Sequence, residues 1–356
     1  MESYQIVSPK IISSLKKVGN IRQIASAQTF TYTGGRMDGI RACRIENGSG
    51  LEFTVLISNC LDLYYLKFKG INLSFLSKPG VQSPAYFNPH GFEYHRFFHA
   101  GMTYTCGLGN IGAPCLEGER EYNFHGRISQ SPADHISITE YWKNDEYFIE
   151  ISGEMREASH YGENLVLQRK ITTQMGSNKL KILDKVINQG YEPEPIMLLY
   201  HINFGYPLLD RHARIILPRG DIYTKQCGTE HAKAEMLSIS DPIDYAEADV
   251  FYHHSIPDKD GYSYAGVVND RLELCLYEKY QTKNLPMLAQ WKSMRSGEYA
   301  LALEPCSQFP ENRIVERNKG GLNYLQPMEA AEFEIELNIL DTVQSISDFE
   351  SMVHSL

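Results

Sequence analysis

Glu332-Phe333-Glu334-Ile335-Glu336-Leu337-Asn338-Ile339-Leu340 alternates a polar side chain with a large apolar one at every step. Successive side chains of a strand point to opposite faces. The stretch therefore predicts a half-buried antiparallel strand, with Phe333, Ile335, Leu337 and Ile339 inward and Glu332, Glu334, Glu336 and Asn338 outward. Working outward, strands are also expected over 51–58, 135–142, 146–152, 164–173, 179–188, 263–268 and 271–277. Turn formers such as Lys143-Asn144-Asp145 and Met175-Gly176-Ser177-Asn178 separate these runs. The pattern holds no long helices between parallel strands, no GxGxxG and no phosphate-binding loop. The expected fold class is all-β, a large antiparallel sandwich.

Short helices are expected at the two ends. Ile11, Ile12, Leu15 and Val18 recur at helical spacing, as do Val343, Ile346, Phe349, Val353 and Leu356, with Asp341 as the N-cap of the second. Residues 1–34 are read as a partly helical extension packed on the body, and 35–356 as one sandwich domain ending in a short helix. The 356 residues would by length alone allow two domains.

Charged residues make up 22% and hydrophobic ones 42% of the chain, which is ordinary for a folded protein. Net charge is -10, with no block of Lys or Arg, which argues against nucleic acid or an anionic membrane as the main partner. A neutral or weakly charged small molecule fits better, and the oligomeric state, a homodimer included, is left open. Seven cysteines are scattered without a CxxC pair, so reduced thiols and a cytoplasmic location are expected. No signal peptide or membrane span is recognised.

Two strand ends carry the chemistry. In Glu298-Tyr299-Ala300-Leu301-Ala302-Leu303-Glu304 one face is apolar, while the other has two alanines leading to one carboxylate. Pro305 should stop the strand or make it bulge, since it has no N–H to donate. The run Pro195-Ile196-Met197-Leu198-Leu199-Tyr200-His201-Ile202-Asn203-Phe204 sets Leu199, His201 and Asn203 on one face and Leu198, Tyr200, Ile202 and Phe204 on the other. Taken alone, Glu304 reads as a solvated rim residue and His201 as a hydrogen-bonded core residue. Together they can form an acid–base pair.

Further candidates lie upstream. Glycines 107, 109 and 112 imply backbone that turns sharply or approaches something closely. In Asn123-Phe124-His125-Gly126-Arg127 the His-Gly-Arg step reads equally as a set of donors to sugar hydroxyls and as a turn with a surface pair. His90, His95, His99, His253 and His254, with Glu93, could ligate a metal, but without HExxH spacing the pattern is weak. There is no GxSxG elbow. Cys306, two residues beyond Glu304, shows no sign of an activated thiol.

Taken in order, Asn123-Phe124-His125-Gly126, Leu199-Tyr200-His201-Ile202-Asn203-Phe204 and Gln290-Trp291-Lys292 through Tyr299 to Leu303-Glu304-Pro305 resemble the galactose mutarotase (aldose 1-epimerase) superfamily. The chain is most similar to a branch known mainly as a domain of unknown function, over roughly residues 35 to 340. The resemblance implies a β-supersandwich with a sugar cleft across one sheet face. It implies Glu304 as catalytic base, His201 as catalytic acid, His125 as a substrate-binding residue and Trp291 beside the cleft. Arg127, Asn203, His95 and His253 are added as substrate-binding candidates, with no metal and no cofactor. Mutarotases proper also carry an aspartate between the His and the Glu. The comparable place here reads Asp249-Val250-Phe251-Tyr252-His253-His254.

Anomer exchange needs a base at the C1 hydroxyl and an acid at the ring oxygen, and a carboxylate beside His201 would favour its charged form. The leading expectation is a cofactor-free aldose 1-epimerase acting on a free sugar or sugar derivative. Two alternatives stand beside it: a lyase or hydrolase on a modified sugar, with or without a metal, and a non-catalytic carbohydrate-binding protein.

Overall fold

A computed structural model describes residues 15–218, 220, 222–224 and 235–356. Most of the expected N-terminal helix, with Ile11 and Ile12, lies outside the described residues. Five antiparallel strands come first: β1 (Ser26–Thr31), β2 (Arg41–Glu46), β3 (Leu51–Leu56), β4 (Asp62–Phe68) and β5 (Ile71–Asn72). Short β6 (Phe75–Leu76) pairs with β7 (Ala100–Gly101); β8 (Thr103–Leu108) follows, and β9 (Cys115–Glu117) pairs with β10 (Arg120–Tyr122). Next come β11 (Asp134–Lys143), β12 (Glu146–Ala158), β13 (Asn164–Gln174), β14 (Lys179–Asn188), β15 (Glu194–Phe204), β16 (Ala213–Ile216) and β17 (Ile222–Thr224). The chain continues through β18 (Asp249–His254), β19 (Tyr262–Asn269), β20 (Leu274–Gln281), β21 (Met287–Arg295) and β22 (Glu298–Cys306). It ends with helix α1 (Arg313–Lys319), β23 (Asn323–Leu325), β24 (Ala330–Leu340) and helix α2 (Val343–Ser355).

Two large sheets follow from this order. One has eight strands, β11-β12-β13-β14-β24-β20-β19-β16. The other has seven, β17-β18-β21-β22-β15-β23, with β8 also paired to β15. All ladders of both sheets are antiparallel, so the fold is the all-β sandwich expected. The main core fills the space between the sheets. It gathers Leu198, Tyr200, Ile202 and Phe204 of β15, Leu301 and Leu303 of β22, and Phe333, Ile335, Leu337 and Ile339 of β24. Removing this apolar surface from water is the dominant force holding the layers together.

A polar knot crosses the core. Arg169 of β13 has no exposed side chain; its Nη1 donates to Asp62 of β4 at 2.8 Å and its Nη2 to Asp184 of β14 at 2.6 Å. The Tyr200 hydroxyl donates to Asp184 at 2.6 Å, and the Thr105 amide and hydroxyl donate to Asp62 at 2.9 and 2.5 Å. One guanidinium thus ties strands of three sheets together. Burial lifts the Asp62 carboxyl to about 6 despite the arginine.

Several local expectations are corrected. β22 does not stop at Pro305 but runs on to Cys306, with Pro305 opposite Leu288 of β21. On its other edge the ladder to β15 pairs Ile202 with Leu303 and Leu199 with Cys306, skipping the positions between, where proline has no N–H to give. The expected strand over 271–277 begins only at Leu274, because Asn269 Oδ1 caps the Arg271 and Leu272 amides in a turn. The N-cap of α2 is Thr342, whose hydroxyl accepts from the Ser345 amide, while Asp341 pairs with Lys69 at 2.6 Å. Ile346, Phe349 and Val353 of α2 are buried, as their spacing predicts. No helix among the described residues is long and apolar enough to cross a membrane.

Candidate active site

β15 and β22 lie side by side, and the register Ile202–Leu303 and Asn203–Ala302 sets His201 opposite Glu304 on the face turned away from the main core. Nε2 of His201 is 3.2 Å from Oε1 of Glu304, and both residues are buried, at 5% and 3% exposure. The approach is close, but Oε1 lies off the hydrogen-bonding direction, so that oxygen has no hydrogen-bond donor. Both groups open into a cavity of about 320 Å³.

Each wall comes from a different part of the chain. The segment before β7 supplies Tyr94, His95 and Phe98; the turn after β10 supplies Phe124 and His125. Val250 and Tyr252 come from β18, Trp291 from β21, and Pro310 and Glu311 from the link between β22 and α1. The His201 ring lies 5.0 Å from Phe98, 5.7 Å from Trp291 and 6.1 Å from His125, centroid to centroid. Aromatic faces beside a few polar tips are the usual lining of a small-molecule pocket.

Gly112 closes one corner. Its φ is +79°, and a side-chain carbon there would lie 1.9 Å from the Pro310 carbonyl oxygen. Only glycine lets the loop after β8 touch the Pro310–Glu311 segment. The same residue's N–H donates to Nδ1 of His125 at 3.3 Å. Burial holds His125 well below the ordinary histidine range, with His201 and His95 adding to the effect. A neutral ring accepting at Nδ1 carries its proton on Nε2, leaving an N–H donor.

The acid–base pair departs from the simple expectation of an imidazolium beside a carboxylate. Burial lowers His201 to about 3 and raises Glu304 well above the usual carboxylate range. Loss of water outweighs the attraction between the two charges. Asn203, next but one on the same strand face, donates from Nδ2 to the His201 carbonyl at 2.8 Å and raises the ring's pKa against burial.

Of the residues singled out in the sequence, His201, Glu304, His125, Trp291 and His95 are brought together around the cavity. Asn203 is fully buried behind His201 and is not part of the wall. Arg127 is exposed and does not line the cavity. His253 is corrected too: it is buried, with Nε2 3.1 Å from Gln290 Oε1. Alternation along β18 turns Val250 and Tyr252 toward the cavity and His253 to the opposite face. Asp249 also points elsewhere, toward Lys292 at 3.7 Å. One wall carboxylate, Glu311, was missed by sequence reasoning, along with Tyr94, Phe98, Phe124 and Tyr252. Tyr252 could have been found from strand alternation; Glu311 depends on the Gly112 contact and left no local signal. Cys306 is buried in a satellite apolar cluster, and burial raises its thiol pKa far above normal. No group of three or more His, Cys, Asp or Glu side chains among the described residues could hold a metal ion.

The fold is that of the galactose mutarotase-like β-sandwich proteins. Residues 37–339 match a family described as a domain of unknown function, DUF4432, and the chain belongs to that family. A candidate aldose 1-epimerase from Klebsiella pneumoniae superposes with a TM-score of 0.87 at 23% identity, over 96% of this chain and 90% of that one. A galactose mutarotase-like protein from Clostridium acetobutylicum gives 0.62 at 16% identity, over 90% and 100% of the two chains. The galactose 1-epimerase of Lactobacillus acidophilus gives 0.58 at 13% identity, over 89% and 99%. No curated protein sequence matches significantly.

Proposed function

We propose that this protein is an aldose 1-epimerase-like isomerase that interconverts the anomers of a sugar at the His201–Glu304 pair. The observation that carries the reading is the 3.2 Å approach of these side chains at the floor of an aromatic-walled cavity. Anomer exchange removes one proton from the C1 hydroxyl and delivers one to the ring oxygen. Ring opening, rotation about C1–C2 and reclosure then return both groups to their starting state. A buried pair holding a single proton matches that requirement, because one partner gives while the other takes. Glu304 serves as base and His201 as acid; hydrogen bonds from sugar hydroxyls stabilise the charged forms of both groups against the cost of burial. The Nε2–H of His125 and the Glu311 carboxyl hold further hydroxyls, and Trp291 packs on the ring face.

The reading is tested by two-dimensional exchange NMR or polarimetry on a panel of reducing sugars. Glu304→Gln and His201→Ala should each lower the exchange rate by about 10²- to 10⁴-fold. If the wild-type protein accelerates none of the panel, the proposal fails.

A further inference from the structure

Tyr94 sits on a 3-10 turn over Glu93–Arg96 and is buried, at 5% exposure, yet its hydroxyl has no hydrogen-bond partner among the described residues. Oε1 of Glu304, which lines the same cavity, is a second buried polar atom without one. We infer that Tyr94 is a positioning residue for Glu304: its O–H donates to the carboxylate during proton exchange and holds the charged form of the base. The inference rests on the functional reading above and adds a residue to it.

Strand register brings the two groups together. On the cavity face the floor carries successive rows of side chains. One row runs Cys106, Leu199 and Cys306 across β8, β15 and β22. The next runs Tyr104, His201, Glu304 and Ala289 across β8, β15, β22 and β21. Tyr94 packs in one apolar cluster with the whole first row and with Tyr104 and Ala289, the two ends of the second. Its ring is clamped by Phe98 at 5.3 Å, Phe124 at 5.0 Å and His125 at 5.2 Å, centroid to centroid. A clamped ring fixes the hydroxyl, and the flexible Glu304 side chain closes the remaining gap. Hydrogen bonds of this kind are commonly long in the free protein and tighten in the complex.

The neighbouring groups leave this task to Tyr94. The Tyr104 hydroxyl is engaged by Ser129 at 2.7 Å and Gln130 at 3.1 Å, and the Asn203 amide by the His201 carbonyl. Burial holds the rings of His201, His125 and His95 below the ordinary histidine range. It likewise raises the Cys106 and Cys306 thiols and, from β18, the Tyr252 hydroxyl. Glu278 of β20 is wholly buried; burial, then Glu304, raises it well above the usual carboxylate range, so it stays uncharged. Burial also raises Tyr94, with Cys106, Tyr104 and Glu304 adding to the effect. Its O–H is therefore a donor throughout the working pH range. A hydrogen bond to an ionised oxygen is among the stronger kinds, and it lets a buried carboxylate carry its charge.

Tyr94→Phe removes one oxygen and keeps the ring, so it tests the hydroxyl alone. Infrared difference spectroscopy follows the Glu304 carboxyl as pH is raised, with Glu304→Gln identifying its band. In Tyr94→Phe that carboxyl should titrate about one pH unit higher than in the wild type, a tenfold change in its ionisation equilibrium. In anomer exchange kcat should fall by about tenfold with KM unchanged, because the hydroxyl holds the base and not the sugar. Tyr104→Phe, which removes the hydroxyl held by Ser129 and Gln130, should leave the Glu304 titration in place. Identical titration in wild type and Tyr94→Phe, titration in neither, an equal shift in both phenylalanine variants, or a raised KM at constant kcat would overturn the inference. A shifted titration in a protein that exchanges no sugar would sink the enzymatic reading alone. Exchange with an unmoved titration would sink the role of Tyr94 alone.

Discussion

A histidine and a carboxyl group buried 3.2 Å apart hold one proton between them until acid adds a second or base removes the first. With His201 lowered to about 3 and Glu304 raised, the one-proton form spans the range between those two limits. kcat/KM should therefore stay level through mildly acidic pH, with its acid-side inflection far below 6.5, the ordinary histidine value. A pH–rate profile that bends near 6.5 would show that solvation, not burial, governs the pair. Asn203 acts through His201, and since it raises that pKa, Asn203→Leu should move the acid limb lower still. The same change should cut kcat by about tenfold with little effect on KM, because it disturbs the acid and not the sugar contacts. Arg127 is exposed and off the cavity, so Arg127→Ala should leave kcat/KM within about twofold of wild type.

At the scale of elements, the loop after β8 depends on contacts between backbones. Gly112→Ala puts a carbon 1.9 Å from the Pro310 oxygen at a φ of +79°. The change should cost about 1–3 kcal/mol in a urea titration and raise KM, as the Glu311 wall is pushed outward. Strands were largely legible in the sequence, because period-two alternation is local: β14 is found where its residues predicted, and β15 and β24 within two residues of their predicted starts. The same periodicity placed His201 and Glu304 on the faces they occupy. It misjudged Pro305, because a missing N–H matters only on the edge facing β15, and which edge that is depends on the sheet order. The cavity walls were legible only in part. His125 and Trp291 sat in recognisable motifs, whereas Phe98, Phe124 and Glu311 converge through loop approaches between distant parts of the chain.

Across the whole molecule, Arg169 is the point where three sheets depend on one charge. Arg169→Met would strand Asp62 and Asp184 in the core, and a loss of about 3–5 kcal/mol is expected in urea unfolding. The linkage at Asp62 has its own sign. Its folded pKa of about 6 exceeds the ordinary aspartate value of 3.8, so the folded state holds that proton more tightly. This group's contribution to stability is full below the unfolded value and is lost as pH rises through about 6. The interruption of the ladder between β15 and β22 has one more consequence. Amides on the uninterrupted β8–β15 side are fastened into the sandwich and should be among the last to exchange with deuterium. Next to them, the skipped positions around Tyr200, His201 and Pro305 form a local seam in an otherwise rigid floor. Such a seam would let the two reacting groups adjust by fractions of an ångström as the sugar ring opens and closes, without any wholesale parting of the layers.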